Sequence, residues 1–227
     1  MVKKNKVVLV VVAHQDDETI GMGGTISNHV KNGDKVFCIN MTNGVGSRIS
    51  KKGDKEKRKN AALNASNILG FEWLPSPNFP DNSLDTVSLL QIIRVIEDAK
   101  GITKPDIVYT HSGADLNIDH RLVFQATLTA FRPEPSEVCC KILSFEVPSA
   151  TDYSHNSISP PFLPNFFVEI SKEWKNKELA LGAYKMELRK EPHSRSLMGI
   201  KNLAMMRGHQ SGLRMAEGFV IIRQIKK

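Results

Sequence analysis

Apolar residues run without a break from Val7 to Ala13, and the chain then turns polar at once with His14, Gln15, Asp16, Asp17 and Glu18. A run of that length, almost all β-branched, predicts a strand covered on both faces, as in a parallel sheet. Glu18 to Lys31 follows as a helix that stops before Asn32-Gly33. Lys35 to Met41 reads as a second strand, and Thr42 to Gly53, rich in Gly, Ser and Asn, as a loop. Asp54 can cap a helix to Leu69, ended by Gly70. Phe71 to Leu74 is a short strand, and Pro75 to Asp85, with its three prolines, a loop. Val87, Leu90, Ile93 and Ile96 make one face of a helix over Thr86 to Lys100. Pro105 to Thr110 is a strand, His111 to Asp119 a polar loop, His120 to Phe131 a helix and Lys141 to Glu146 a strand. Val147 to Pro164 has four prolines and little periodicity, which suits a lid or a substrate wall. Phe166 to Ile170 reads as a strand, Lys172 to Leu188 and Arg195 to Arg207 as helices, and Phe219 to Ile225 as a closing strand.

Strands alternate with helices through the first two-thirds, which predicts an α/β fold with a mainly parallel sheet. The 227 residues are expected to form one domain, a core over 1–146 and a C-terminal elaboration over 147–227. Composition allows a real core, with 41% hydrophobic and 24% charged residues. No run is long enough to span a membrane. Lys3, Lys4 and Lys6 before the first apolar run imitate a signal peptide, but the run is short, ends in His14 to Glu18 and lacks a small-residue cleavage site. A cytoplasmic protein is the expectation. Cys38 is far from the adjacent Cys139 and Cys140, which supports neither a disulfide framework nor a cysteine-based zinc site.

The formal charge of +7 is concentrated in Lys3 to Lys6, in Lys51 to Lys59 and at the tail, Arg223, Lys226 and Lys227. Such clusters either form solvated faces or attract anionic partners. No helix-turn-helix, zinc-finger or RNP-type pattern accompanies them, so no nucleic-acid partner is expected. The oligomeric state leaves no mark on the sequence, and a homo-oligomer is compatible with it.

Two polar stretches each follow a strand: His14 to Glu18, and His111 to His120. In a parallel sheet both emerge at the same edge, where open α/β sheets build their sites. His14, Asp17 and His120 then offer two imidazoles and a carboxylate, a donor set that suits catalytic zinc with an open position. Zinc in such a site makes water a nucleophile at a pH of roughly 7. Asp16 cannot point the same way as its neighbour Asp17 and is free to act as general base. Asp119 could orient an imidazole, and Asn117 could donate to a developing oxyanion. The plainer alternatives are that Asp16 or Asp17 caps the following helix, that Glu18 merely suits its N-terminus, and that a histidine beside a strand is structural. Gly21, Gly23 and Gly24 imitate part of a dinucleotide fingerprint, but Ile26 stands where the third glycine is needed and the acidic turn would repel a pyrophosphate.

These residues resemble a known family. Ala13 to Glu18 (AHQDDE), Thr42 to Gly44 (TNG), Asp81 to Thr86 (DNSLDT) and Asp115 to Arg121 (DLNIDHR) are similar to the motifs of the PIG-L/LmbE metal-dependent N-deacetylases. The likeness continues through Ser144 to Tyr153, Ala183 to Arg189, Pro192 to Ser196 and Arg207 to Phe219, so it covers nearly the whole chain. It implies a Rossmann-like three-layer sandwich, His14, Asp17 and His120 as ligands of Zn2+ (or Fe2+, Co2+ or Mn2+), and Asp16 as base. It implies removal of an N-acetyl group from a GlcNAc-type sugar, a nucleotide-sugar being one form of the substrate. Asp85 would contact the sugar, as would a basic residue after the TNG loop, Arg58 or alternatively Lys57. Two positions depart from the family. Gln15 replaces a proline, and Asn117 stands where a histidine acts as acid or oxyanion stabiliser. Asn117 can donate a hydrogen bond but cannot shuttle a proton, and His111 or Asp115 could compensate at the substrate. Two alternatives stay open: an amidase or deformylase at the same zinc site, and a metal-dependent sugar-binding protein without turnover.

Overall fold

The computed structural model describes residues 5–42, 44, 53–157 and 159–226. Most of the loop expected over Thr42 to Gly53, and Lys3, Lys4, Lys51, Lys52 and Lys227 of the basic clusters, lie outside the described residues.

The run that opens the chain is strand β1 (Val7–Val12), and Val8 to Val12 are completely buried. Its side chains alternate between two cores. Val8, Val10 and Val12 join one, with residues of helices α1 (Asp17–Lys31), α2 (Asp54–Leu69), α5 (Trp174–Ala183) and α6 (Leu197–Gln210). Leu9, Val11 and Ala13 join the other, with residues of α3 (Leu89–Thr103) and α4 (Ile118–Ala130). Burial on both faces explains why the strand is apolar throughout instead of alternating. The result is a three-layer sandwich.

The sheet has seven strands in the order β3-β2-β1-β4-β5-β7-β6. β2 (Lys35–Asn40), β3 (Glu72–Trp73), β4 (Ile107–His111) and β5 (Lys141–Phe145) run parallel to β1, while β7 (Ala216–Gln224) is antiparallel to β5 and to β6 (Phe166–Glu169). After β1 the chain builds β2 and β3 on one side, then crosses to β4 on the other. The order therefore reverses between β1 and β4, and a crevice opens there at the strands' carboxyl ends. The segment after residue 146 contributes β6 and β7 to the same sheet.

Several boundaries differ from the sequence reading for local reasons. α3 begins at Leu89, because Ser88 and Gln91 form a capping box, and Leu90, expected on the inner face, is 54% exposed. Asp54 is the first residue of α2, with Gly53 at the cap position in a left-handed conformation. α5 and α6 are Trp174–Ala183 and Leu197–Gln210, so both are displaced from their expected ends. β7 starts at Ala216, where Ala216 to Gly218 pair with β6, although neither Ala, Glu nor Gly favours a strand. His111 ends β4 instead of opening the following loop, and α4 starts at Ile118 behind an Asn117 cap.

Candidate active site

The crevice between β1 and β4 collects the residues of both polar stretches. Asp16 is the N-cap residue of α1 with φ 131°, a left-handed value unusual for a residue with a side chain. Its carboxylate makes no capping hydrogen bond. The cap is made instead by Glu18, whose Oε2 accepts the Asp16 backbone N–H at 3.0 Å, while its Oε1 accepts from the Thr19 and Tyr184 hydroxyls. This sharp turn aims successive carboxylates in different directions. Asp17 accepts the backbone N–H of His14 at 3.0 Å and faces three imidazoles: His14 Nδ1 at 3.1 Å, His120 Nε2 at 3.3 Å and His111 Nε2 at 3.4 Å from its Oδ2.

Two of the imidazoles are held from behind by carboxylates. His120 Nδ1 lies 2.8 Å from Asp115 Oδ2, and Asp115 Oδ1 accepts from the Thr151 hydroxyl at 2.7 Å. His14 Nε2 lies 3.2 Å from both Asp119 Oδ2 and Asp81 Oδ1. His111 Nε2 accepts the Ala13 backbone N–H at 2.8 Å, so its proton is on Nδ1, and the ring stacks on His120 at 3.8 Å between centroids. His111 thus ties the end of β1 to the end of β4 and supports the His120 ring.

Electrostatics follow from this burial. Burial pushes the Asp17 carboxyl up, but the imidazoles of His120 and His14 outweigh it and hold the group well below the usual range. Burial alone would lower His14 and His120, yet the carboxylates around them, Asp17 foremost, raise both. The cluster therefore demands positive charge at its centre. Burial lowers His111, which stays neutral. Asp16 is pushed up to about 6, mainly by burial, with Arg58 pulling the other way, and Glu18 is pushed up to about 7 by burial.

Among the described residues three sets of buried donors come within 4.8 Å of one another: His14, Asp17 and His120; His111, Asp115 and His120; and His14, Asp81 and Asp119. The first set fits a divalent cation best. It directs one carboxylate oxygen and one nitrogen from each ring at one another, and the far nitrogens of both rings face carboxylates that fix their tautomers.

The other expected residues fall in several places. Arg58 of α2 reaches the site, donating to the Gln15 carbonyl at 2.9 Å and to Glu187 at 2.8 Å, with Asp16 Oδ1 at 3.5 Å. Lys57, its alternative, turns to Asp54. His111 and Asp115, expected against substrate, are 0% and 1% exposed and serve His120. Asn117 caps α4 by accepting from Asp119 N at 2.8 Å and donates from Nδ2 to Asn82 Oδ1 at 2.9 Å, so its amide is turned to these partners. Asp85 is exposed on the short 3-10 turn Leu84–Thr86. Asp81 of the same hexapeptide is the one beside His14, because Asp119 accepts the backbone N–H groups of Asn82 at 2.7 Å and Leu84 at 3.0 Å and draws the turn inward.

The sequence reading gave no role to Asp81, Glu187 or Arg195. Arg195 Nη1 stands 3.7 Å from Asp16 Oδ2, an oxygen with no hydrogen bond in the structure, and Arg195 Nε donates to the Pro148 carbonyl. All three lie in the motifs DNSLDT, AYKMELR and PHSRS. Those segments join the site only through long-range folding, so no local periodicity marks the residues.

Known proteins resemble this chain in sequence and in fold. The profile of the PIG-L family, described as GlcNAc-PI de-N-acetylase, matches residues 9–131. An uncharacterized deacetylase of Escherichia coli (strain K12), YaiS, is 29% identical over 182 residues, which is 78% of this chain and 89% of the relative. Among solved structures, GalB, the 4-carboxy-2-hydroxymuconate hydratase of Pseudomonas putida KT2440, is similar with a TM-score of 0.78 at 21% identity, covering 98% of each chain. The N,N'-diacetylchitobiose deacetylase of Pyrococcus horikoshii has a TM-score of 0.74 at 22% identity, covering 97% of this chain and 85% of its own. At those identities the two structures show a shared fold, which carries a hydratase as well as a deacetylase. With more than half its length matched by the family profile and its seven-stranded sheet intact, the chain belongs to the PIG-L family of hydrolytic N-deacetylases.

Proposed function

We propose that the protein removes an N-acetyl group from a GlcNAc-type sugar or sugar conjugate, giving acetate and a free amine. The convergence of His14, Asp17 and His120 beside an Asp16 oxygen that accepts no hydrogen bond carries this reading. A divalent ion, Zn2+ in the first instance, would be held by those three side chains and would supply Lewis-acid polarisation of the amide carbonyl and of water. Asp16 takes the proton of the attacking water on Oδ2 and returns it to the amine as the C–N bond breaks. Arg58 and Arg195 balance its charge from two sides. Asp115 and Asp119 orient the imidazoles of His120 and His14. Asn117 acts by fixing the start of α4 and the turn that carries Asp81, and reaches an oxyanion only by releasing Asn82.

Replacing Asp16 with Asn tests the assignment. Metal content should be unchanged while acetate release from N-acetyl sugars falls about 10²–10⁴-fold. Undiminished turnover in D16N would remove the base from Asp16. A panel that also scores formate release and hydration of an enol acid separates the deacetylase from a deformylase and from the hydratase chemistry that this fold also carries.

A further inference from the structure

A second cavity lies next to the catalytic cluster and has no part in the mechanism above. Its volume is about 600 Å³, and it extends over the carboxyl ends of β2 and β3. That is within the range for small-molecule sites, about 300–1,000 Å³. Gln15, the neighbour of Asp16, lines its inner end. Its lining includes the apolar Trp73 and Leu63 and the basic Lys55 and Lys59, with Glu56 as an opposing charge. Lys55 and Lys59 are four apart on α2 and so present their ammonium groups along one stripe. Arg58, on the adjoining face of the same helix, reaches the Gln15 carbonyl and Asp16. One helix therefore walls both the site and the cavity. Gln15, next to Asp16 in the chain, and the two lysines line the same cavity, so a substituent of a sugar held at Asp16 can extend toward them.

We propose that this cavity is a subsite for a phosphoryl group attached to the N-acetyl sugar, with Lys55 and Lys59 as its contacts. The inference rests on the deacetylase reading for the identity of the sugar, but the basic cavity can be tested apart from turnover. A phosphoryl group offers several acceptor oxygens to point-charge ammonium donors. Trp73 in the lining favours a phosphate that links the sugar to a further ring over one that ends in solvent.

The test compares N-acetylglucosamine with its 1-phosphate and with UDP-N-acetylglucosamine. Binding is measured calorimetrically on metal-loaded D16N, and acetate release on the otherwise native enzyme, each with and without the pair K55A/K59A. The phosphorylated sugars should bind at least about tenfold more tightly than the neutral one, as expected for two charge-assisted contacts at a partly solvated wall. Added salt should narrow that preference, and K55A/K59A should abolish it. Equal binding of neutral and phosphorylated sugars, or a preference that survives K55A/K59A, overturns the subsite. A lysine-dependent preference without acetate release by the native enzyme would keep the subsite and reject the deacetylase reading. Acetate release without any phosphate preference does the reverse.

Discussion

Asp16 and Asp17 are adjacent in sequence and opposite in circumstance. Asp17 sits between the imidazoles of His14 and His120, which keep it ionised, whereas Asp16 faces two arginines at longer range and keeps one oxygen without a hydrogen bond. The turn at φ 131° separates them, and strain of this kind is retained where the surrounding structure demands it. Behind the imidazoles, Asp115 and Asp119 are almost fully buried and make contacts that only an acceptor can make. D115N and D119N should each weaken metal binding about 10–100-fold, measured by competition with a chromogenic chelator, because a neutral amide no longer enforces the tautomer. Asp85→Asn, at an exposed position, should leave metal affinity unchanged in the same assay. His14 and His120 were legible as candidate donors because each stands beside a buried strand or at the start of the helix after one. Asp81 was not, since two aspartates four residues apart share its hexapeptide and the choice between them depends on Asp119, which pulls one turn of backbone inward.

Helix α1 carries the acidic turn and is itself broken, with Met22 at φ −146°. The break frees backbone groups that two residues of the C-terminal segment satisfy. Glu217 accepts from Gly24 N at 3.0 Å and Thr25 N at 2.6 Å, and Lys177, paired with Glu217 at 2.6 Å, donates to the Ile20 carbonyl at 2.8 Å. Both charges are buried, so removing one partner strands the other in a medium that cannot hydrate it. Lys177→Met should lower stability by about 3–5 kcal/mol in urea unfolding. The close glycines have a related cause. A Cβ on Gly21 would lie 2.4 Å from the Phe145 ring, and one on Gly24 2.7 Å from Ile170. Gly24→Ala should therefore cost about 1–3 kcal/mol by overpacking. Two of the glycines that imitate a dinucleotide fingerprint, Gly21 and Gly24, let α1 approach Phe145 of β5 and Ile170 just after β6.

Across the molecule, strand order does what no single segment can. The reversal between β1 and β4 brings residues about a hundred positions apart to one point, with His14 and Asp119 3.2 Å apart. The C-terminal segment closes the same point from another side with Tyr184, Glu187 and Arg195. Because the donors come from separate elements, a bound cation links them and stabilises the fold by mass action. At a metal concentration a hundred times Kd this amounts to about 2.7 kcal/mol. Chelation should lower Tm by roughly 5–10 °C for a chain of this size, and metal should restore it. A Tm indifferent to chelator and to added Zn2+ would argue against the centre. No helix among the described residues is long and apolar enough to cross a membrane.

Residue order alone announced the buried strand, the alternation of strands and helices, and the donors at strand ends, because these depend on periodicity and adjacency. It also carried the motifs by which family membership was expected. The folded chain decided which aspartate faces which imidazole, that Asn117 is a cap, that Arg195 and Asp81 join the site, and that a cavity with two lysines opens beside it. Those outcomes depend on contacts between segments far apart in sequence, where burial and partner geometry, and not local pattern, select among chemically equal residues.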